Sequence, residues 1–243
     1  MDQLLVFDLW GQYAHYKKIF ATTTALTYPI PVKTALYGMF GAMLGLEKQD
    51  NQYLKFFQPG QCKVGIQILN PITYQKININ LRSVFGPMKP NDNRKPTMVE
   101  FIYRPYYRIF FTHSDRQVYE NMRTCLFSKQ VVFTPTLGLA NLLANYEWVG
   151  EYPFKPILSG GHLPVATVIP RRQLIQIDHS QAFSRTGSRI MEIAQYALEM
   201  DPSRDVTDRD DIIFDQNGNA LSAITKTPFE VELHGKHVII TLF

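Results

Sequence analysis

In the stretch YQKININLRSVF, which starts at Tyr74, Ile77, Ile79 and Leu81 alternate with Lys76, Asn78, Asn80 and Arg82. A period of two marks a half-buried strand, here with a basic outer face. QLLVFDL (3–9), CKVGIQIL (62–69), MVEFIYR (98–104) and PYYRIFFTH (105–113) also read as strands. The Pro- and Asn-rich GPMKPNDNRKPT separates two of them, so residues of about 74–104 form a long hairpin. Two stretches carry helical periodicity instead. Val32–Leu46 is apolar and uncharged beyond Lys33, with Pro29 and Pro31 before it to set its start. From Ser114, a capping box with Gln117 precedes Val118, Met122, Cys125 and Leu126 on one face. QVVFT (130–134) then reads as strand.

The order strand–helix–strand–hairpin–strand–helix–strand is that of a split βαβ unit, so residues 1–134 are expected to form an α+β, ferredoxin-like (RRM-like) βαββαβ domain. Residues 135–243 form a C-terminal extension packed on it as one body. Within it, LGLANLLANY reads as helix, LPVATVIPRRQLIQID as strand broken at Pro170, and SRIMEIAQYALEM as helix capped by Ser188. The acidic segment and DQNGN read as loop. The chain ends in a hairpin that turns near Gly235.

Gly38, Gly41 and Gly45 fall at i, i+3 and i+7 in the first helix, although Gly costs about 1 kcal/mol against Ala in a helix interior. A glycine face lets another backbone come close. Lys33 opposes the helix dipole at the same helix start, so an anion is expected there. Lys17, Lys18, Thr22, Thr23 and Thr24 just before it supply cations and hydroxyls suited to phosphate. The same loop interleaves Tyr13, His15, Tyr16 and Phe20 with base, a pattern that stacks bases and pairs phosphates. Arg82, Lys89, Arg94 and Lys95 cluster near the hairpin tip, with Lys76 and Arg104 on its limbs.

Composition narrows the choice. The 243 residues are 45% hydrophobic and 19% charged, which excludes disorder. Net charge is +4 but uneven: residues 55–108 carry nine Lys/Arg against two acids, and 199–215 seven acids against two Arg. Cys62 and Cys125 are separate and fit reduced thiols of a cytoplasmic protein. The acidic N-terminus carries no secretion signal, and the apolar run at 35–46 is too short for a membrane. Catalytic and metal signals are poor. Asp178-His179-Ser180 point apart on a strand, His234 and His237 lack partners for zinc, and the acids do not match an EF-hand. His15, beside Tyr16 and Lys17, is the candidate general base for a metal-independent RNA cleavage.

The N-terminal LVFDLWGQYAHYKKIFATTTALTYPIPVKTALYGMFGAMLGLE resembles the signature of the Cas five family, and FTPTLGLANLLA (133–144) resembles a second family segment. These are CRISPR-associated RAMP proteins of type I Cascade complexes. The resemblance implies a subunit that binds and caps the 5′ handle of crRNA, with the hairpin as a thumb over the guide. It implies contacts with the backbone and large subunits, and through the complex with target DNA. It implies no cofactor, metal or membrane. Tyr13–Thr24 and Lys33 would face the handle. In the I-C branch the subunit is itself an endoribonuclease, but that catalytic Tyr–Lys–His set does not map cleanly here, and the first helix looks more like type I-B. The expectation is binding without catalysis, the alternative a metal-independent endoribonuclease. A third reading is an RNA-free ferredoxin-like scaffold or small-molecule protein.

Overall fold

The computed structural model describes residues 3–18, 24–81, 95–158, 160–179 and 187–243. Strand β1 (Gln3–Trp10) is buried from Leu4 to Leu9 on both faces, which explains its nearly unbroken apolar run. Its one acid, Asp8, is held by the Arg108 fork at 2.7 and 2.9 Å. Short strands β2 (Tyr13–Ala14), β3 (Tyr16–Lys17) and β4 (Thr27–Tyr28) follow. Helix α1 (Lys33–Leu44) starts after Pro31 and ends at Gly45, whose φ of 70° closes it in the left-handed conformation. A 3₁₀ segment (Gln49–Phe56) leads to β5 (Cys62–Ile68). The expected hairpin is formed by β6 (Thr73–Leu81) and β7 (Lys95–Tyr103), paired from Thr73↔Tyr103 to Leu81↔Lys95. β8 (Tyr106–His113) returns to the main sheet and α2 (Arg116–Ser128) follows. Its cap is Asp115, which accepts from the Gln117 and Val118 amides, not the expected Ser114; Gln117 turns forward to Asn121.

Residues 130–144 form neither the expected strand nor the expected helix. The Val132 and Phe133 amides bond the Met43 and Ala42 carbonyls in the last turn of α1, and Ala42 accepts from the Gly45 amide as well. Gly138 has φ 97°, and a Cβ there would overlap the His15 carbonyl. The next strand after α2 is β9 (Asn145–Pro156), which pairs with β1. The central order is β9-β1-β8-β5, antiparallel throughout.

The C-terminal part is nearly all strand. β10 (Leu163–Val165), β11 (Ile169–Pro170) and β12 (Leu174–Ile177) break at Pro170 as expected. β13 (Ile190–Met200) replaces the expected helix, and β14 (Val206–Asp215) takes up most of the acidic segment expected as loop. Their pairing slips three times, and Gln195 sits at φ 57°. These bulges leave Tyr196–Glu199 consecutively buried, which destroys the period of two and imitates a helical one. Ser188 caps no helix; it donates to Asp215 at 2.6 Å. β15 (Leu221–Thr225), β16 (Phe229–Leu233) and β17 (Lys236–Ile240) complete the chain. The last hairpin turns on His234 and Gly235, both at positive φ, as a type I′ turn requires.

β9 continues past β1 onto β16, so one curled nine-stranded sheet runs β12-β15-β10-β17-β16-β9-β1-β8-β5. The main core lies between α1, α2 and one face of β1, and includes Tyr196, Ile212 and Phe214 from the β13–β14 hairpin. A second cluster, with Leu4, Val6 and Val231, fills the opposite face.

Candidate nucleic-acid interface

The loop after β1 and the long hairpin are separate features of the sequence; the structure joins them. β2 pairs with β7 through Tyr13↔Tyr103 and Ala14↔Ile102, giving a three-stranded sheet β2-β7-β6. Farther along the same edge of β7, Ala25 exchanges backbone bonds with Met98 and Glu100 at 3.1 and 2.9 Å. β3 follows the first attachment and β4 the second, and the two pair with Tyr16 opposite Tyr28 and Lys17 opposite Thr27. Aromatic and basic residues of the loop are therefore fixed against the base of the hairpin.

On one face of this sheet Tyr13 stacks edge-on to Phe101 at 5.7 Å and lies 5.6 Å from Tyr103. The Tyr13 hydroxyl donates to Gln75, and the Arg104 guanidinium sits 5.2 Å above Tyr103. Tyr74, Lys76, Asn78 and Met98 are exposed on the other face. Lys17 is exposed, Lys18 lies 5.8 Å over the Tyr28 ring, and Thr24 is half-buried.

Three candidates point inward. His15 is 4% exposed. Its Nδ1 lies 2.8 Å from the Glu100 carbonyl, which can only accept, so Nδ1 carries the proton. Tyr16 is buried, among the described residues its hydroxyl has no hydrogen-bond partner, and burial pushes its phenol far above the ordinary range. Lys33 is 3% exposed and donates to Glu199 at 2.7 Å. The anion expected at the start of α1 is thus the chain's own Glu199, which also accepts from the Tyr37 hydroxyl at 3.0 Å. Burial pushes the neighbouring Cys62 thiol up to about 12. Lys33 is accordingly not presented to a ligand. Thr23, Arg82, Lys89 and Arg94 lie outside the described residues, and of Lys95 the backbone pairing with Leu81 is described.

The glycines of α1 do not pack on the sheet. Gly38 faces open space, Gly41 lies against Tyr53, and Gly45 is the cap. Among the described residues no group of three or more His, Cys, Asp and Glu could hold a metal ion, and no helix is long and apolar enough to cross a membrane. Sequence reasoning missed Glu199 and the exposed ring of Tyr74. Tyr74 opens the alternating basic strand and could have been found there; Glu199 lies 166 positions from its lysine and left no local signal.

The segment that carries the loop, α1 and the hairpin is also the segment that matches known proteins. Residues 4–107 match the family of CRISPR-associated Cas5 proteins. No curated protein matches the chain by sequence. In fold, the chain is similar to a CRISPR protein from Archaeoglobus fulgidus, with TM-score 0.53, 11% identity and 98% of each chain covered. It is similar to a second crystal structure, of a Cas protein, with TM-score 0.53 and 12% identity over 88% of this chain and 95% of that one. At these identities the likeness is one of fold, and the Cas5 match covers the whole of the loop and hairpin described above.

Proposed function

We propose that the chain is a Cas5-type subunit of a CRISPR effector complex that binds the 5′ handle of crRNA and does not cut it. The observation that carries this is the union of loop and hairpin in one sheet, with Tyr13, Lys17, Lys18, Lys76 and Arg104 on a continuous structure. Partly exposed aromatic rings beside surface cations suit a single strand, whose bases stack and whose phosphates pair. The strand order β9-β1-β8-β5 supports a ferredoxin-like reading of the α/β unit, with β6–β7 as the inserted thumb. The Cas5 match over residues 4–107 supports the type of complex. Within it the thumb would lie against a neighbouring backbone subunit, and the body against a large subunit, in a type I-B assembly that reaches target DNA through its guide.

The absence of cutting rests on His15. A general base must reach the proton it abstracts. His15 is enclosed, and its Nδ1 is committed to the backbone of β7, an arrangement that suits a structural role. Tyr16 beside it is buried and resists ionisation, so it supplies no base near neutral pH.

Binding of a labelled repeat RNA across a series of salt concentrations tests the reading. Lys17→Ala with Lys18→Ala should weaken binding and flatten its salt dependence by about 0.7 in log–log slope for each phosphate no longer neutralised. An unchanged slope would remove the loop from the interface.

A further inference from the structure

Beside the three-stranded sheet lies a cavity of about 270 Å³. Its lining includes Lys18 and Tyr28, Tyr74 of β6, and Met191, Ile193 and Phe214 of the β13–β14 hairpin. The walls are firm. Tyr28 is 5% exposed, packs edge-on to Tyr196 at 6.4 Å and reaches the Gln195 carbonyl. β13 is tied to α1 through Glu199 and to the segment before the helix by the Tyr196 hydroxyl on the Pro31 carbonyl at 2.7 Å. The volume is close to the lower limit of about 300 Å³ for small-molecule pockets, so it admits one planar ring system and no more.

The lining also selects. Two tyrosines, a phenylalanine and the Met191 thioether favour a flat π-system. Glu192 at the wall disfavours a phosphate inside and can accept from an exocyclic amino group. Lys18, over the Tyr28 ring, offers a cation to a phosphate at the rim. Tyr74 is 43% exposed, so its ring is open to a partner beside the cavity.

We infer that this cavity takes a single unstacked nucleobase of a bound RNA strand, stacked on Tyr74 and closed off by β13. The inference rests on the RNA-binding reading above and deepens it. The C-terminal extension, through β13 and β14, then reads one base of the RNA directly, and an amino-bearing base is preferred.

The test uses the full chain and a set of single-stranded repeat RNAs, each with 2-aminopurine at one position, at low salt. Binding is followed by anisotropy and base environment by the intensity of the probe. One position is expected to change intensity on binding, and Tyr74→Ala should abolish that change and weaken binding by about 5- to 150-fold, the factor that corresponds to ~1–3 kcal/mol of stacking. Tyr74→Phe should retain both, which separates the ring from the fold. RNA bound with no position responsive to Tyr74→Ala would overturn the base pocket and leave the RNA-binding reading standing. No RNA bound at any salt would overturn the pocket together with that reading.

Discussion

Replacing Glu199 by Ala strands a buried cation. The side chains of Lys33 and Glu199 are 3% and 10% exposed, and their 2.7 Å contact is the ammonium's carboxylate partner. The Tyr37 hydroxyl loses its acceptor in the same step. Removing one partner of a buried pair costs about 3–5 kcal/mol, because the remaining charge is left without compensation. In a chain of this size each kcal/mol moves Tm by about 2–4 °C, so Glu199→Ala should lower Tm by roughly 6–20 °C. Urea and thermal unfolding measure this. A triple variant, Lys33→Met, Tyr37→Phe and Glu199→Leu, removes both charges and the orphaned hydroxyl, and should recover most of the stability. A decrease below about 1 kcal/mol in Glu199→Ala, the size of a solvated pair, would refute the claim that the cluster is sealed. So would a triple variant as unstable as the single one.

Other outcomes follow from the same geometry. Gly38→Ala meets nothing within 4 Å and should stabilise the chain by up to ~1 kcal/mol, whereas Gly41→Leu must displace Tyr53, 3.2 Å from a Cβ, and should destabilise; paired denaturation curves separate them, and equal effects would contradict the packing described. Arg172 forks onto Asp208 at 2.8 Å and holds its carboxyl below the usual range. A carboxyl whose folded-state value is depressed contributes above its unfolded value of about 4 and loses that contribution as pH falls through the folded value. Both side chains are nearly half exposed, so Arg172→Ala should cost less than about 1 kcal/mol near neutral pH and less still at strongly acid pH, where only the bond to the Arg209 carbonyl remains; urea midpoints at the two pH values check it, and an equal difference at both would exclude the pair as the cause.

The parts legible in the sequence are those governed by neighbours in the chain. The alternation of Ile77 and Ile79 with Lys76, Asn78 and Asn80 announces β6, and Pro29 and Pro31 announce the start of α1, because propensity and turn chemistry act locally; Gly45, expected inside the helix, instead ends it. β13 reads as a helix because its bulges, including Gln195 at positive φ, break the alternation that a strand normally writes into its sequence. Residues 130–144 mislead because their apolar run serves the carbonyls at the end of α1 and the loop at His15, contacts made across the fold. The candidate site divides in the same way. Its chemistry, aromatic rings interleaved with base, is visible in the loop. Which members reach solvent is not, since His15, Tyr16 and Lys33 are enclosed by partners far along the chain: Glu100, 85 residues from His15, and Glu199 beside Lys33.

The central claim, binding without cleavage, is tested most directly by incubating the purified protein with end-labelled repeat RNA in EDTA and resolving the products on native and denaturing gels in parallel. The account predicts a salt-sensitive shift on the native gel and full-length RNA on the denaturing gel. A discrete cleavage product that persists in EDTA would contradict it and identify a metal-independent endoribonuclease in this fold.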